Sequence, residues 1–408
     1  MIITYPLNTH TVSLLTNYIY PIYSTHIHSN TLHNKHVREP SMAASEKKKM
    51  LPPMADPSSE NKVENPDFLK MFLKYHGNND DDVELLFNIN FKNLRLLEGD
   101  KFQHLDMGLP SQFVDGNEHL GILGSAVDGV ICLYDVNNQK NIIFWNPANG
   151  QKRVLPTNYA EDLGSTDDCI PNICVQGFGY DCVNRHFKVI QYVIYDNVPS
   201  GGDEDDDDDE TNSFWQLYSL STNKWTKLDI IGHHIPFLQD YPNGLEVYLD
   251  GFCYWLGRLE ASGQHYLVSF NLTSSNFSIS DAPVDKDVYE SSLKLVVLNG
   301  SVAMITQHDD PMSFSISILG QIGVQESWTK LFNVASLPSF KDPISAGKKV
   351  VIFFKGDENN GRVACFDLTT RVIEKEIDFE EEVDIQQIVF YKKSDKLLSM
   401  KRKKTSRH

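Results

Sequence analysis

A strand unit returns about every fifty residues along this 408-residue chain. An apolar strand opens at Asp128-Gly129, at Asp250-Gly251 and at Asn299-Gly300. A second strand, a polar turn and an aromatic follow, as in Trp215 to Trp225, Leu267 to Phe277 and Ser315 to Trp328. Trp225, Phe277 and Trp328 lie 52 and 51 residues apart, and Gly251 and Gly300 lie 49 apart. Strands and turns repeating at that period are the sequence signature of propeller blades. One such unit cannot bury its apolar face alone, so its neighbours must stack on it. Turn signals recur every 8–14 residues between 83 and 400, with almost no helix-period segment. A β-sandwich shares that turn spacing, but the fifty-residue superperiod favours a propeller. The expected fold is all-β, a propeller of six to seven blades, from about 320 residues at roughly fifty per blade.

The flanks differ in composition. Residues 1–50 are rich in Thr, Asn, His, Tyr and Ser without periodicity, and read as a disordered tail. The five histidines there, His10, His26, His28, His33 and His36, belong to that tail rather than to a metal site. Met42 opens a stretch that looks more like a natural start than Met1 does. Within residues 51–76, Pro66 to Tyr75 forms a short amphipathic helix before the first blade. Asp67 can cap it, and Phe68, Met71, Phe72 and Tyr75 share one face. The propeller is expected over 77–400, with strand signals from Val83–Phe87 to Lys396–Ser399. Residues 401–408 form a basic tail, in which Lys401 to Lys404 reads as a nuclear import signal or a solubilising end.

The formal net charge is −18, and eight of the negative charges sit in one run, Asp203 to Glu210. Nucleic-acid binding needs a basic footprint, so it is not expected. The run cannot bury itself and should be a solvated loop between two strands. It lacks the spacing of a calcium loop. Cys132, Cys169, Cys174, Cys182, Cys253 and Cys365 form no C-x-x-C pair, which argues against structural zinc and fits a reducing compartment, cytoplasmic or nuclear. No segment approaches eighteen apolar residues, so no membrane helix is expected. Asn271, Asn276 and Asn299 match the glycosylation pattern, which means little without a secretion signal.

The ordered motifs resemble a known family. Gly124-Ser-Ala-Val-Asp-Gly-Val-Ile-Cys-Leu133, Phe144-Trp-Asn-Pro147 and Val154-Leu-Pro156 resemble the opening of the plant F-box-associated domain, which is similar to kelch propellers. The likeness runs on through Gly177-Phe-Gly-Tyr-Asp181, Phe187-Lys-Val-Ile190, Val247-Tyr-Leu-Asp-Gly251, Ser269-Phe-Asn-Leu272, Glu326-Ser-Trp-Thr-Lys-Leu331 and Tyr391-Lys-Lys-Ser394. The paired glycines of standard kelch blades are missing. The resemblance implies a receptor of an SCF ubiquitin ligase, in which an N-terminal F-box binds the Skp adaptor and the propeller captures a protein substrate. The chain departs from that pattern at one place. Glu46 to Pro53 resembles the lead-in to an F-box and Asn65 to Leu69 the segment after it, yet only Met54 to Glu64 lie between. The F-box helices are missing there, so adaptor binding is expected only if they are supplied.

The same residues have a physical reading. Trp145-Asn-Pro147 should end a strand, because proline cannot extend a ladder. Gly177 and Gly179 should permit close backbone approach while Phe178 and Tyr180 share one face. Trp225, Trp255, Phe277 and Trp328 are expected to fill inter-blade space at matched blade positions. No G-x-S-x-G elbow, H-E-x-x-H or phosphate-cradling loop occurs. His186, His233, His234, His265 and His308 are isolated and read as surface or loop histidines. The sequence therefore assigns no catalytic, cofactor-binding or metal residues, no cofactor and no enzymatic role. Three functions stand in order: a substrate-recognition module, an F-box-less binding module that competes or is a remnant, and an enzyme with carboxylates converging from different blades.

Overall fold

The described residues form six four-stranded antiparallel sheets. The structure, a computed structural model, describes Phe72 and most of residues 83–398, leaving out 106–119, 157–170, 196–212, 238–245 and several shorter stretches. The expected tails at 1–50 and 401–408 and the acidic run lie outside the described residues. Described residues fall in one compact unit, Asp56–His408. No helix among them is long and apolar enough to cross a membrane.

Blade 2 is built from β4 (Leu120–Ile122), β5 (Ile131–Asp135), β6 (Ile142–Asn146) and β7 (Gln151–Val154). Blade 3 takes β8 (Pro171–Asp181), β9 (His186–Tyr195), β10 (Ser213–Ser219) and β11 (Lys224–Lys227). Blade 4 takes β12 (Glu246–Leu249), β13 (Phe252–Leu259), β14 (Gln264–Asn271) and β15 (Asn276–Asp281). Blade 5 takes β16 (Leu293–Leu298), β17 (Ser301–Asp309), β18 (Met312–Leu319) and β19 (Trp328–Ala335). Blade 6 takes β20 (Phe340–Ala346), β21 (Val351–Gly356), β22 (Arg362–Asp367) and β23 (Val372–Asp378). Blade 1 mixes both ends of the domain. Its inner strand is β24 (Ile385–Tyr391), and β1 (Glu84–Ile89), β2 (Asn93–Glu98) and β3 (Lys101–Leu105) follow outward. The open choice between six and seven blades resolves to six.

The core is the set of seams between blades. Leu86 and Tyr391 of blade 1 share a cluster with Ile122 and Trp145 of blade 2. Phe144 of blade 2 meets Phe178 and Tyr218 of blade 3. Trp215 meets Trp255 across the next seam, and Leu256 meets Met304 across the one after. Phe314 meets Phe354, and Phe353 meets Phe87 to complete the circle. Period-two alternation makes this possible, since consecutive residues serve opposite seams. In β13, Cys253 and Trp255 face blade 3, while Tyr254 and Leu256 face blade 5.

Short turns gather on one face. Asp250-Gly251 and Asn299-Gly300 are two-residue hairpin turns with φ of 48° and 85°, and 49° and 76°. That geometry requires positive φ at both positions, which is why Asp-Gly and Asn-Gly recur there. A second turn recurs between outer strands on the same face. Asn271 Oδ1 accepts from Thr273 N and Ser274 N at 2.8 and 3.0 Å, and Asp367 Oδ1 accepts from Thr369 N and Thr370 N. Ser275 N and Arg371 N close these turns onto Asn271 O and Asp367 O, each at 2.8 Å.

The ends of the domain are locked by side chains. Gln387 in β24 reaches the edge of β4, accepting from Ile122 N at 2.9 Å and donating to Ile122 O at 2.8 Å. Its amide thereby imitates a strand partner across the blade 1–blade 2 seam. Beyond β24 the chain crosses the short-turn face as an extended strap, not the strand expected over Lys396–Ser399. Asn146 Nδ2 donates to Ser394 O and Lys396 O at 2.8 and 3.0 Å, and Ala148 N donates to the Tyr391 hydroxyl at 3.1 Å. A Cβ at Gly129 would stand 2.5 Å from Ser394 Cβ, so this glycine seats the strap as well as its own turn. Lys396 lies 3.3 Å from the ring centre of Tyr180 and pairs with Asp128, and Leu398 is buried in the blade 2–blade 3 seam.

Asp181, fully buried, ties blade 3 to blade 4. Its carboxylate pairs with Lys188 at 2.8 Å and accepts from Thr273 Oγ1 at 2.9 Å and from Asn184 N at 2.9 Å. Burial alone would raise its pKa, but these donors outweigh it and hold the carboxyl far below its usual 3.8. The native state therefore binds fewer protons there than the unfolded chain. The stabilisation is complete above the unfolded carboxyl range, near pH 4, and is lost as pH falls toward the lower folded value. Asp181→Ala should cost about 3 kcal/mol in urea denaturation at pH 7, and the deficit relative to wild type should shrink below pH 4. Gln387→Leu should cost about 2 kcal/mol, because it strands a buried N–H and C=O of Ile122.

Candidate functional site

The inner strands surround an axial cavity of about 290 Å³. β12, β16, β20 and β24 line it, together with Gly124 to Ala126 of blade 2. The strand direction fixes its two ends. Connections from β3 to β4, β7 to β8 and β11 to β12, together with the β9–β10 connection, leave from the face opposite the short turns. Between residues 83 and 398, the four longest segments outside the described residues, 106–119, 157–170, 196–212 and 238–245, belong to these connections. One face of the ring thus carries short turns and the other the long connections.

Charged groups collect where the cavity meets the long-connection face. Glu246 opens β12, Lys294 is the second residue of β16, and Asp342 stands early in β20. Lys355 pairs with Asp384, whose carboxylate also accepts from Gln386 Nε2. Asp384 is held in place through its backbone, which exchanges hydrogen bonds with Asn90 of the β1–β2 turn at 2.8 and 2.9 Å. Burial pulls the pKa of Lys294 below its usual 10.5. Asp342 and Glu246 oppose that shift and Lys355 reinforces it. Below this layer the lining mixes Val296, Ile344 and Val389 with Ser345, Gln387 and Asn299.

Phe72, the one described residue of the segment before the propeller, is helical and buried in the blade 5–blade 6 seam. Asn299 Nδ2 donates to Phe72 O at 3.2 Å. Asn299 belongs to the short turn between β16 and β17, so the Phe72 carbonyl is held from the short-turn face.

The residues singled out in the sequence find places in this frame. Trp225, Phe277 and Trp328 lie in the outermost strands β11, β15 and β19, and pack at seams as expected. Trp255 does not share that position. It lies in β13, 1% exposed, stacked on Trp215 at 5.4 Å, and its Nε1 donates to Pro236 O at 3.2 Å. A Cβ at Gly179 would meet Tyr248 Cδ2 at 2.2 Å, and one at Gly177 would meet Cys253 Cβ at 2.7 Å, so both glycines admit blade 4 closely. His265 corrects the surface reading, being fully buried in β14. His186 opens β9 with Nδ1 at 3.2 Å from Asn184 O, and exposed His308 has Nε2 at 2.9 Å from Ser315 Oγ. His233 and His234 lie outside the described residues. Cys132, Cys174 and Cys253 are buried free thiols, and burial pushes the thiols of Cys132 and Cys253 well up. Cys365 is pushed up to about 11. Among the described residues no three His, Cys, Asp or Glu side chains cluster to hold a metal ion.

The sequence reading missed Lys294, Glu246 and Gln386. One signal was available: Lys294 is a lone charge inside the apolar run Leu293 to Leu298. Its neighbours come from blades more than forty residues away, and only the ring brings them together.

A closed ring of six four-stranded blades around an axial cavity defines a β-propeller. Residues 123–396 match the F-box associated beta propeller domain, and the chain belongs to that family. An Arabidopsis thaliana protein carrying an F-box protein name, At3g17490, is 22% identical over 249 residues, covering 59% of this chain and 56% of that protein. The match thus spans little more than half of the relative. Among solved structures, a chain of the nidogen–laminin complex aligns at TM-score 0.42 and 12% identity, over 76% of this chain and 99% of that one. An oligogalacturonate lyase of Vibrio parahaemolyticus aligns at 0.37 and 11%, over 72% and 79%. At such scores neither likeness bears on function.

If Trp255 is core rather than a ligand platform, its loss must appear in stability. Trp255→Ala should cost about 3–5 kcal/mol, read as a lower urea midpoint; an unchanged midpoint would place the residue outside the core.

Proposed function

We propose that this chain is the substrate-recognition part of an F-box type ubiquitin-ligase receptor, acting in the cytoplasm or nucleus by binding alone. The observation that carries this reading is membership of the F-box-associated propeller family over residues 123–396. The polarity of the ring supports it. Long connections are where binding specificity is usually built on a rigid scaffold, and they share one face. Phe72, ahead of the propeller, is held from the other by Asn299. A client held on the long-connection face would leave the N-terminal side free for an adaptor. The bound client would be a protein, and the transfer chemistry would belong to the assembled ligase.

A second reading keeps client binding and drops the ligase. It is favoured by the eleven residues from Met54 to Glu64, which stand where F-box helices would be needed. Co-purification of residues 42–408 with the Skp adaptor separates the two. Adaptor binding at micromolar affinity or better supports the receptor. Its absence, together with recovery of a discrete client by proximity labelling, supports the lone binding module. Recovery of chaperones and degradation machinery alone would count against both.

A further inference from the structure

We draw no further inference here: the strongest candidate, the side-chain amides of Gln191 and Gln216, fully buried opposite each other on β9 and β10 of blade 3 with no hydrogen-bond partner among the described residues, carries nothing because nothing in the structure shows what they would hold.

Discussion

Closure of the ring by β24 is the interaction on which the rest of this structure depends. Leu85 pairs with Phe390 and Phe87 with Ile388, so the last strand becomes the inner strand of the first blade. Every blade then has a neighbour on both sides, and the apolar residues on both faces of each sheet are covered. Without that pairing, blade 1 would lose its inner strand and the seams with blades 2 and 6 would open to water. In an open array of repeats, terminal units need polar caps. Closure removes that need, which is why Phe87, Phe353 and Phe379 can all be buried at the seam where the chain meets itself.

Closure is reinforced by polar contacts of long sequence separation rather than by more apolar area. Gln387 bonds to Ile122 and Asn146 to Ser394, across 265 and 248 residues. The Trp-Asn-Pro and Tyr-Lys-Lys-Ser motifs, far apart in the chain, are the two halves of one latch. Their residues hold the strap across blade 2, and the Tyr391 hydroxyl bonds to Ala148 N beside it. Asp181 plays the corresponding part between blades 3 and 4, joining a hairpin turn of one to an outer turn of the other.

The ring also separates two surfaces. Its short-turn face is built from turns whose Asp, Asn and Gly residues satisfy their own backbone, and there it holds Phe72 and the C-terminal strap. The opposite face carries the long connections and the mouth of the axial cavity. A division of labour between anchoring and binding follows from strand direction alone, because in an up-and-down blade alternate connections must emerge on opposite sides.

Much of this was legible in the sequence. Alternation of apolar residues and the recurrent Asp-Gly and Asn-Gly turns depend on local backbone geometry, so the strands, hairpins and blade period could be read residue by residue. The close approach at Gly177 and Gly179 was legible for the same reason. Other features were not. The burial of His265, the strap in place of a final strand, the number of blades and the meeting of Glu246, Lys294 and Asp342 are set by contacts between residues far apart in the chain. The sequence by itself determined that this protein is built of strand units that must stack on one another, since a blade cannot bury its own faces, and its period favoured a propeller. Only the tertiary structure decided that six blades close the circle, which face carries the long connections and which charges share the axis, because those follow from how the seams pack and where the last strand pairs.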